Sequence, residues 1–490
     1  MTASQVAGTG QRGETAGYPG RWLAAIAMIV GALMDMIDVT IVNVALPTIR
    51  RDLHASATQL EWVVSGYMLA FAAALIIAGN LGDLFGRKRV FLAGVAAFGL
   101  ASLAAGLSQT GAELITARVV QGTAAAAMAP QVLATFRAVF SGSERGKAFG
   151  VYGAMLGFAS AVGLLLGGVL TDANLFGWSW RSVFFVNVPV AVGTLIAGLR
   201  FVPETRDPGA RRPDVPGAVL LTGSLVAVVY ALLEGRQFGW PPWIWLLLVA
   251  GLAGLAALGL LEARRAGRRG GRGSQTAPLL RAGLFRVPAF AAGLGVQLVF
   301  SAGLQGFFLA FALWLQAGEH FSPLKAGLTA VAFSVGSFIG APVAIPLAQR
   351  HGRRVLVIGG ALMAAGILGD TLAASHVGLN GSPWPVVPGL VMAGAGLALL
   401  VIPLVNVVLA AVPVEAAGGA SGLFGTAQQL GGALGVALLG TVFFGYLNGH
   451  SFEAAIVRTA PYAIGAFALC AVLSLLLPRT ALGEEALLES

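Results

Sequence analysis

The sequence predicts an all-α membrane protein built as a bundle of spanning helices. Two observations carry this. Of 490 residues, 57% are hydrophobic and only 10% charged, and the mean hydropathy is +0.83, well above that of an ordinary soluble domain. Apolar runs of about 20 residues also recur from Trp22 to Leu477. A helix of that length crosses the hydrocarbon core while satisfying its own backbone hydrogen bonds.

Reading apolar runs between charged or Pro/Gly-rich breaks places helices at 22–46, 59–81, 89–108, 112–136, 147–171, 182–202, 216–235, 242–262, 288–316, 324–348, 354–375, 385–411, 420–447 and 460–478. That is fourteen spans. Residues 1 to 20 are polar and Gly-rich, and the first apolar run is longer than a signal-peptide core without a clear cleavage site, so it is expected to remain as the first span. With the N-terminus in the cytoplasm, Arg50, Arg51, Arg181, Arg236, Lys325 and Arg458 fall outside and Arg118 within a span, leaving 23 of the 30 Lys and Arg residues inside. The net charge of +9 is thus explained by topology, with no nucleic acid partner required. The largest basic cluster, "EARRAGRRGGRGSQTAPLLRAGLFR", reads as a flexible topogenic loop.

Fourteen spans divide as six, two and six. "LGDLFGRKRV" at 81–90 follows the second span, and "LAQRHGRRVL" at 347–356 follows the second span after the central pair. Both facing inward at equivalent places, they mark parallel repeats that pack as two bundles around a cavity. The expected organisation is a cytoplasmic tail 1–21, an N-terminal six-helix bundle 22–203, a linker region 204–287 carrying two extra helices and the basic loop, a C-terminal six-helix bundle 288–478 and a cytoplasmic tail 479–490.

Asp35 and Asp38 sit near the middle of the first span. An ionised side chain there costs on the order of 3 kcal/mol on insertion scales, so it should face the bundle interior or a wet cavity and have a use. Three apart, the two acids share a helical face, an arrangement that suits a proton relay. At 1.5 Å per residue, Asp38 lies about 12 Å below the outer end of its span and Arg118 about 9 Å below the outer end of the fourth. Asp38 is therefore expected to pair with Arg118, leaving Asp35 as the freer proton-exchanging or cation-sensing group. A tilt of one turn would reverse these roles, and a purely structural role for both acids is the third reading. Asp370, about 9 Å deep in the eleventh span, is a candidate for an additional acidic cavity site or an interfacial residue. Glu234 and Glu262 fall at span ends and read as snorkelling or loop-pairing groups.

Six stretches stand out together: "DVTIVNVALPTI" at 38–49, "GNLGDLFGRKR" at 79–89, "LITARVVQGTAAA" at 114–126, "WRSVFFVNVPVAVG", "FSPLKAGL" and "AQQLGGALGVA". They resemble the major facilitator superfamily, specifically its fourteen-helix drug/proton antiporter branch. The first is similar to that branch's first-helix signature, the second to the superfamily loop motif with Leu84 in place of Arg, and the third to the fourth-helix motif. The resemblance spans about residues 22 to 478. It implies the major facilitator fold, two six-helix bundles plus two central helices, and a proton-coupled exporter of drugs, biocides or secondary metabolites acting by alternating access. A lipid or glycolipid exporter, or an uptake symporter of the same fold, is the alternative.

The fifth-helix antiporter motif, normally G-x-x-x-G-P-x-x-G-G, reads "ASAVGLLLGG" at 159–168, with Ala159 for Gly and Leu164 for Pro. Losing the proline restores a backbone donor, while Gly163, Gly167 and Gly168 still permit close helix approach. In the loop motif, Asp83 is expected to accept from a helix N-terminus and pair with a nearby Arg when the bundles close on the cytoplasmic side. Gly79 and Gly86 allow tight approach there, and Arg87 and Arg89 lie at the membrane surface; the second half has Gln349 in place of the Asp. Trp62, Tyr67, Gln121, Phe307, Phe311, Asn406 and Gln428 are candidate cavity-lining residues, each also explicable as packing or helix contact.

Enzymatic chemistry finds no footing. No H-E-x-x-H, G-x-S-x-G, Walker loop or paired Cys/His spacing occurs, and His54, His320, His351, His376 and His450 lie in or beside loops. The lone cysteine, Cys470, reads as packing. No cofactor or metal is expected, the proton motive force supplying the drive. The expected partners are the lipid bilayer, protons and small lipophilic or cationic substrates, and the expected state is a monomer. Lys88, Lys147 and Lys325 are the only lysines among abundant Arg, Ala and Gly, which hints at a GC-rich bacterial genome. The expected location is the bacterial inner membrane, multi-pass, with both termini cytoplasmic.

Overall fold

The computed structural model describes residues 18, 20–206, 212–268, 276–277, 284, 287–377, 379, 381–412 and 417–478. Most of the N-terminal tail, the C-terminal tail and most of the basic loop lie outside them. Among the described residues the regular structure is helical apart from a two-residue parallel pairing of Arg212 and Pro213 with Thr276 and Ala277. Eleven helical segments are long and apolar enough to cross a membrane, and α2, bent by 50° between Leu75 and Ile77, makes twelve among the described residues. The α4 helix is Ala-rich and carries Arg118 and two glutamines, so it is less apolar than these despite its 29 residues.

The helices are α1 (Arg21–Asp52), α2 (Ala57–Phe85), α3 (Arg87–Leu107), α4 (Gly111–Val139), α5 (Gly142–Asp172), the short α6 (Ser182–Phe185) continued by α7 (Asn187–Phe201), α8 (Val215–Gly235), α9 (Pro242–Arg268), α10 (Pro288–Leu313), α11 (Pro323–His351), α12 (Arg354–Leu372), α13 (Val387–Ala410), α14 (Ala417–Leu447) and α15 (Phe452–Ser474). Two of the departures from the expected limits share one reason. The α1 helix runs through Pro47 to Asp52, and α15 begins at Phe452, well ahead of Pro461. In a bundle, neighbouring helices absorb the backbone group that proline frees, so proline does not end these helices as it would in water. A serine caps the start of α15, where the Ser451 side chain accepts from the Ala454 N–H.

Packing repeats. In the first half α1 packs on α5 and α7, α2 on α4, and α3 on α4 and α7; in the second, α10 packs on α14 and α15, α11 on α13, and α12 on α13 and α15. Each contact in one list has its counterpart in the other when α1–α5 and α7 are matched to α10–α15. The halves then meet through α2 on α14 and α5 on α11, which are also counterparts. That is the contact pattern of two repeated bundles related by a two-fold axis. The pair α8 and α9 packs on itself, and α8 also touches α2 and α14.

The near face is taken as the one where the chain enters α1, and the far face as the one where α1 ends. Contacts between the bundles include several in the far-face halves of the helices. Gln316 Nε2 donates to the Val44 carbonyl at 2.8 Å, and Ser65 Oγ to the Ala433 carbonyl at 3.4 Å. Gly168 of α5 lies so close to α11 that a Cβ would come within 2.8 Å of the Pro323 carbonyl, and one at Gly327 within 2.6 Å of the Leu164 carbonyl. Near these contacts a small gap is lined by Asn43 and Val44 of α1, Leu164 of α5, Phe308 and Phe311 of α10 and Ala326 of α11.

Candidate functional site

The centre of the first bundle holds a closed polar network. Asp38 is fully buried and Arg118 is 2% exposed, and the two form an ion pair through Arg118 Nη1 and Asp38 Oδ2. The guanidinium also donates to the Val63 carbonyl at 3.1 Å and to Gln121 Oε1 at 2.9 Å. The other Asp38 oxygen accepts from Asn187 Nδ2 at 2.8 Å and from Gln121 Nε2 at 3.3 Å, while Gln121 Nε2 also donates to Ser102 Oγ at 2.8 Å. One carboxylate thus gathers side chains from α1, α3, α4 and α7. A buried pair is stable only when its remaining donors and acceptors are satisfied, as they are around Asp38.

Asp35 lies one turn nearer the near face and is 2% exposed. It accepts a hydrogen bond from the Tyr67 hydroxyl. The same Tyr67 ring lies under the Arg118 guanidinium, 4.2 Å from its Cζ. Tyr67 therefore joins the two acids: its hydroxyl meets one and its face stabilises the cation bound to the other.

Gly122 makes this stack possible. A Cβ there would collide with the Tyr67 backbone, meeting its carbonyl carbon at 2.9 Å. The missing side chain lets α2 and α4 approach closely enough for Tyr67 to lie against Arg118. Gly122→Ala is expected to lower stability by about 1–3 kcal/mol, since backbone rather than a flexible side chain must move. Thermal unfolding of the purified protein in detergent, beside Gly150→Ala, checks it: position 150 has nothing within 4 Å and should lose little.

The remaining expected residues fall in several places. Asp370 is 3% exposed and sits between α12 and α13, against Gly389, with neither carboxylate oxygen accepting a hydrogen bond. Phe307 stacks on Phe311 with centroids 5.3 Å apart, and Phe311 reaches the gap between the bundles. Tyr67 and Gln121 belong to the acidic network, whereas the Trp62 indole donates to Glu234 Oε1 at 2.9 Å. Asn406 and Gln428 are exposed. In the fifth-helix motif a Cβ at Gly163 would lie 3.0 Å from the Ile37 carbonyl, and one at Gly167 2.8 Å from that of Ile41, so both glycines seat α5 on α1; Gly168 and Leu164 contact α11.

The loop motif is tied within its own half. Asp83 accepts from Arg87 Nε at 3.0 Å and Nη2 at 2.8 Å, and Arg87 also reaches the Ala134 carbonyl. Gly86 closes α2 at φ +106°, a conformation side chains rarely adopt, and Gly79 approaches Pro130. Glu204, which sequence reasoning passed over, accepts from the Lys88 backbone N–H at 3.1 Å and faces Arg89 at 3.6 Å. Asn187 and Glu61 were also passed over. Asn187 lies within the quoted "WRSVFFVNVPVAVG" segment, where an amide in an apolar run was the available signal. Among the described residues, no group of three or more His, Cys, Asp or Glu side chains is arranged to hold a metal.

A two-bundle membrane protein with a charged network inside one bundle has the form of a secondary transporter. The Major Facilitator Superfamily matches residues 28–436 and 293–489, and the chain belongs to that family. Its role is transport rather than catalysis. It is 39% identical over 450 residues to a probable actinorhodin transporter of Streptomyces coelicolor, covering 91% of this chain and 76% of the relative. It is 35% identical over 433 residues to a tetracenomycin C resistance and export protein of Streptomyces glaucescens, covering 87% and 77%. A crystal structure of a D-xylose-proton symporter superposes with a TM-score of 0.65 at 15% identity, covering 94% of this chain and 98% of the other, a likeness of fold.

Proposed function

We propose that the protein is a proton-coupled exporter of antibiotics and other small lipophilic or cationic compounds, of the fourteen-helix drug/proton antiporter branch. The observation that carries this reading is the buried Asp38–Arg118 pair with Asp35 beside it, joined by Tyr67. Charges held away from water inside a bundle are expensive, and in a transporter their use is exchange with a driving ion. The relatives that transport actinorhodin or confer tetracenomycin C resistance and export support the substrate class. Counting α4 and α5, of 29 and 31 residues, with the twelve more apolar spans gives fourteen. The near face is then cytoplasmic by the arginine distribution, both termini are inside, and the protein acts as a monomer in the bacterial inner membrane with no cofactor.

In this mechanism the bundles rock about the α2–α14 and α5–α11 seams, exposing the space between them to each side in turn. Asp35 exchanges the proton, while Asp38 and Arg118 hold the bundle interior at fixed charge. Asp370 is a second acidic site, and the Asp83–Arg87 pair with Gly79, Gly86 and Arg89 shapes the cytoplasmic gate. Leu164, in place of the motif proline, favours a second reading as an uptake symporter, because α5 then lacks the proline-induced break in its backbone hydrogen bonding.

Inverted membrane vesicles with an acidified interior discriminate the two. Adding compounds from a panel of antibiotics and toxic cations is expected to release protons from vesicles carrying the protein and not from control vesicles, with the compound accumulating inside. Compound-driven proton movement in the opposite direction establishes symport and overturns export.

A further inference from the structure

Glu61 of α2 is fully buried, and neither of its oxygens accepts a hydrogen bond. Its charge is faced by Arg236, whose Nη2 lies 3.6 Å from Glu61 Oε2. Arg236 follows directly on α8, the first helix of the central pair, and it reaches across the seam as well. Its Nη1 donates to the Gly440 carbonyl of α14 at 3.3 Å, and its Cζ lies 5.2 Å from the centroid of the Phe444 ring, which Arg50 also approaches, at 5.8 Å. Two further bonds fix α8 to the same two helices. Trp62 Nε1 of α2 donates to Glu234, and Thr441 Oγ1 of α14 donates to the Leu232 carbonyl at 3.3 Å.

The far-face end of α8 is thus fastened to α2 from the first bundle and to α14 from the second. These are the helices that must separate when the far face opens. A carboxylate that stays charged while buried without hydrogen bonds needs a compensating cation, and once the seam parts it gains water instead. The cation therefore stabilises the shut state selectively.

We propose that the helix pair α8 and α9 serves as a clasp on the far-face gate, with Arg236 as the positioning residue that allows the α2–α14 seam to close over Glu61. This gives the extra pair a function that does not depend on which compound is carried or in which direction. It also explains why a charged side chain stands at the end of α8 facing inward, where a soluble loop would need none.

The test is a distance measurement on the full-length protein in lipid nanodiscs. Spin labels at Arg51→Cys and His450→Cys, both exposed far-face positions, report the gap by pulsed electron spin resonance, since Cys470 is buried. Arg236→Gln and Arg236→Ala are expected to raise the ratio of long to short distances about tenfold or more, because each leaves Glu61 charged and unpaired in the shut state. Adding Glu61→Gln to either is expected to return the ratio to within about twofold of the parent, since no charge is left to bury. Arg236→Lys, which keeps the charge, should hold the parent ratio. A role for Arg236 in packing alone would not be reversed by Glu61→Gln. An unchanged ratio in the Arg236 variants, or a ratio still raised after Glu61→Gln is added, overturns the proposal.

Discussion

Arg118→Met lowers the stability of the protein in detergent by about 3–5 kcal/mol, the loss expected when one partner of a buried ion pair is removed and the other stays charged. Arg118 is 2% exposed and Asp38 fully buried, so no water replaces the missing guanidinium. The loss has three parts. Asp38 keeps the amides of Asn187 and Gln121 but no counter-ion, the Val63 carbonyl loses its donor, and Tyr67 loses the cation over its ring. Adding Asp38→Asn should recover at least half of the stability, because the neutral amide oxygen still accepts from Asn187. Transport should remain more than about tenfold down in both variants, since the double variant restores neutrality without restoring the charge pattern. Denaturant unfolding and efflux rates, measured on the same preparations, separate the two effects. An Arg118→Met protein as stable as the parent would mean that the pair contributes nothing net.

Helical rise sets the two residues of that pair at one level but leaves a tilt of one turn open. Counting 1.5 Å per residue from the ends of two antiparallel spans puts Asp38 and Arg118 at nearly one depth, and the structure brings them together. Depth is a one-dimensional quantity, so it says nothing about which other residues surround the pair. Asn187 arrives from α7, where the chain passes from α6 into α7, and Ser102 from α3; neither could be ranked above other polar residues in apolar runs without knowing helix rotation. Tyr67 and Gln121 were read as cavity-lining residues for the same reason. Their level was legible, but the direction of their side chains was not.

The helices were legible because an apolar run of spanning length has few other uses, and the repeat was legible from two similar loops. Limits drawn at Pro47 and ahead of Pro461 went astray because a proline rule learned from water was applied inside a bundle. Glu61 and Arg236 were obscured by position. Each lies near a span end, where a charge is ordinarily solvated, and only the fold shows that α8 covers this end of the α2–α14 seam. A charge near a span end is uninformative until its neighbours are known.

Asp35→Asn is expected to leave stability within about 1 kcal/mol of the parent, because the amide oxygen still accepts from the Tyr67 hydroxyl and no ion pair is broken. Compound-driven proton exchange should nevertheless fall by at least about tenfold, and the pH dependence of residual transport should flatten, since an amide binds no exchangeable proton in this range. Asp38→Asn makes the contrast. It leaves Arg118 charged and unpaired in the bundle, so stability and transport should fall together. The two variants assign the roles through a split that overall activity alone would miss: loss of coupling with the fold intact identifies the proton carrier, and joint loss identifies the structural partner. Normal exchange in Asp35→Asn, with lost exchange and unchanged stability in Asp38→Asn, would transfer the carrier role to the paired acid. Arg118 would then be the group that sets when the proton leaves.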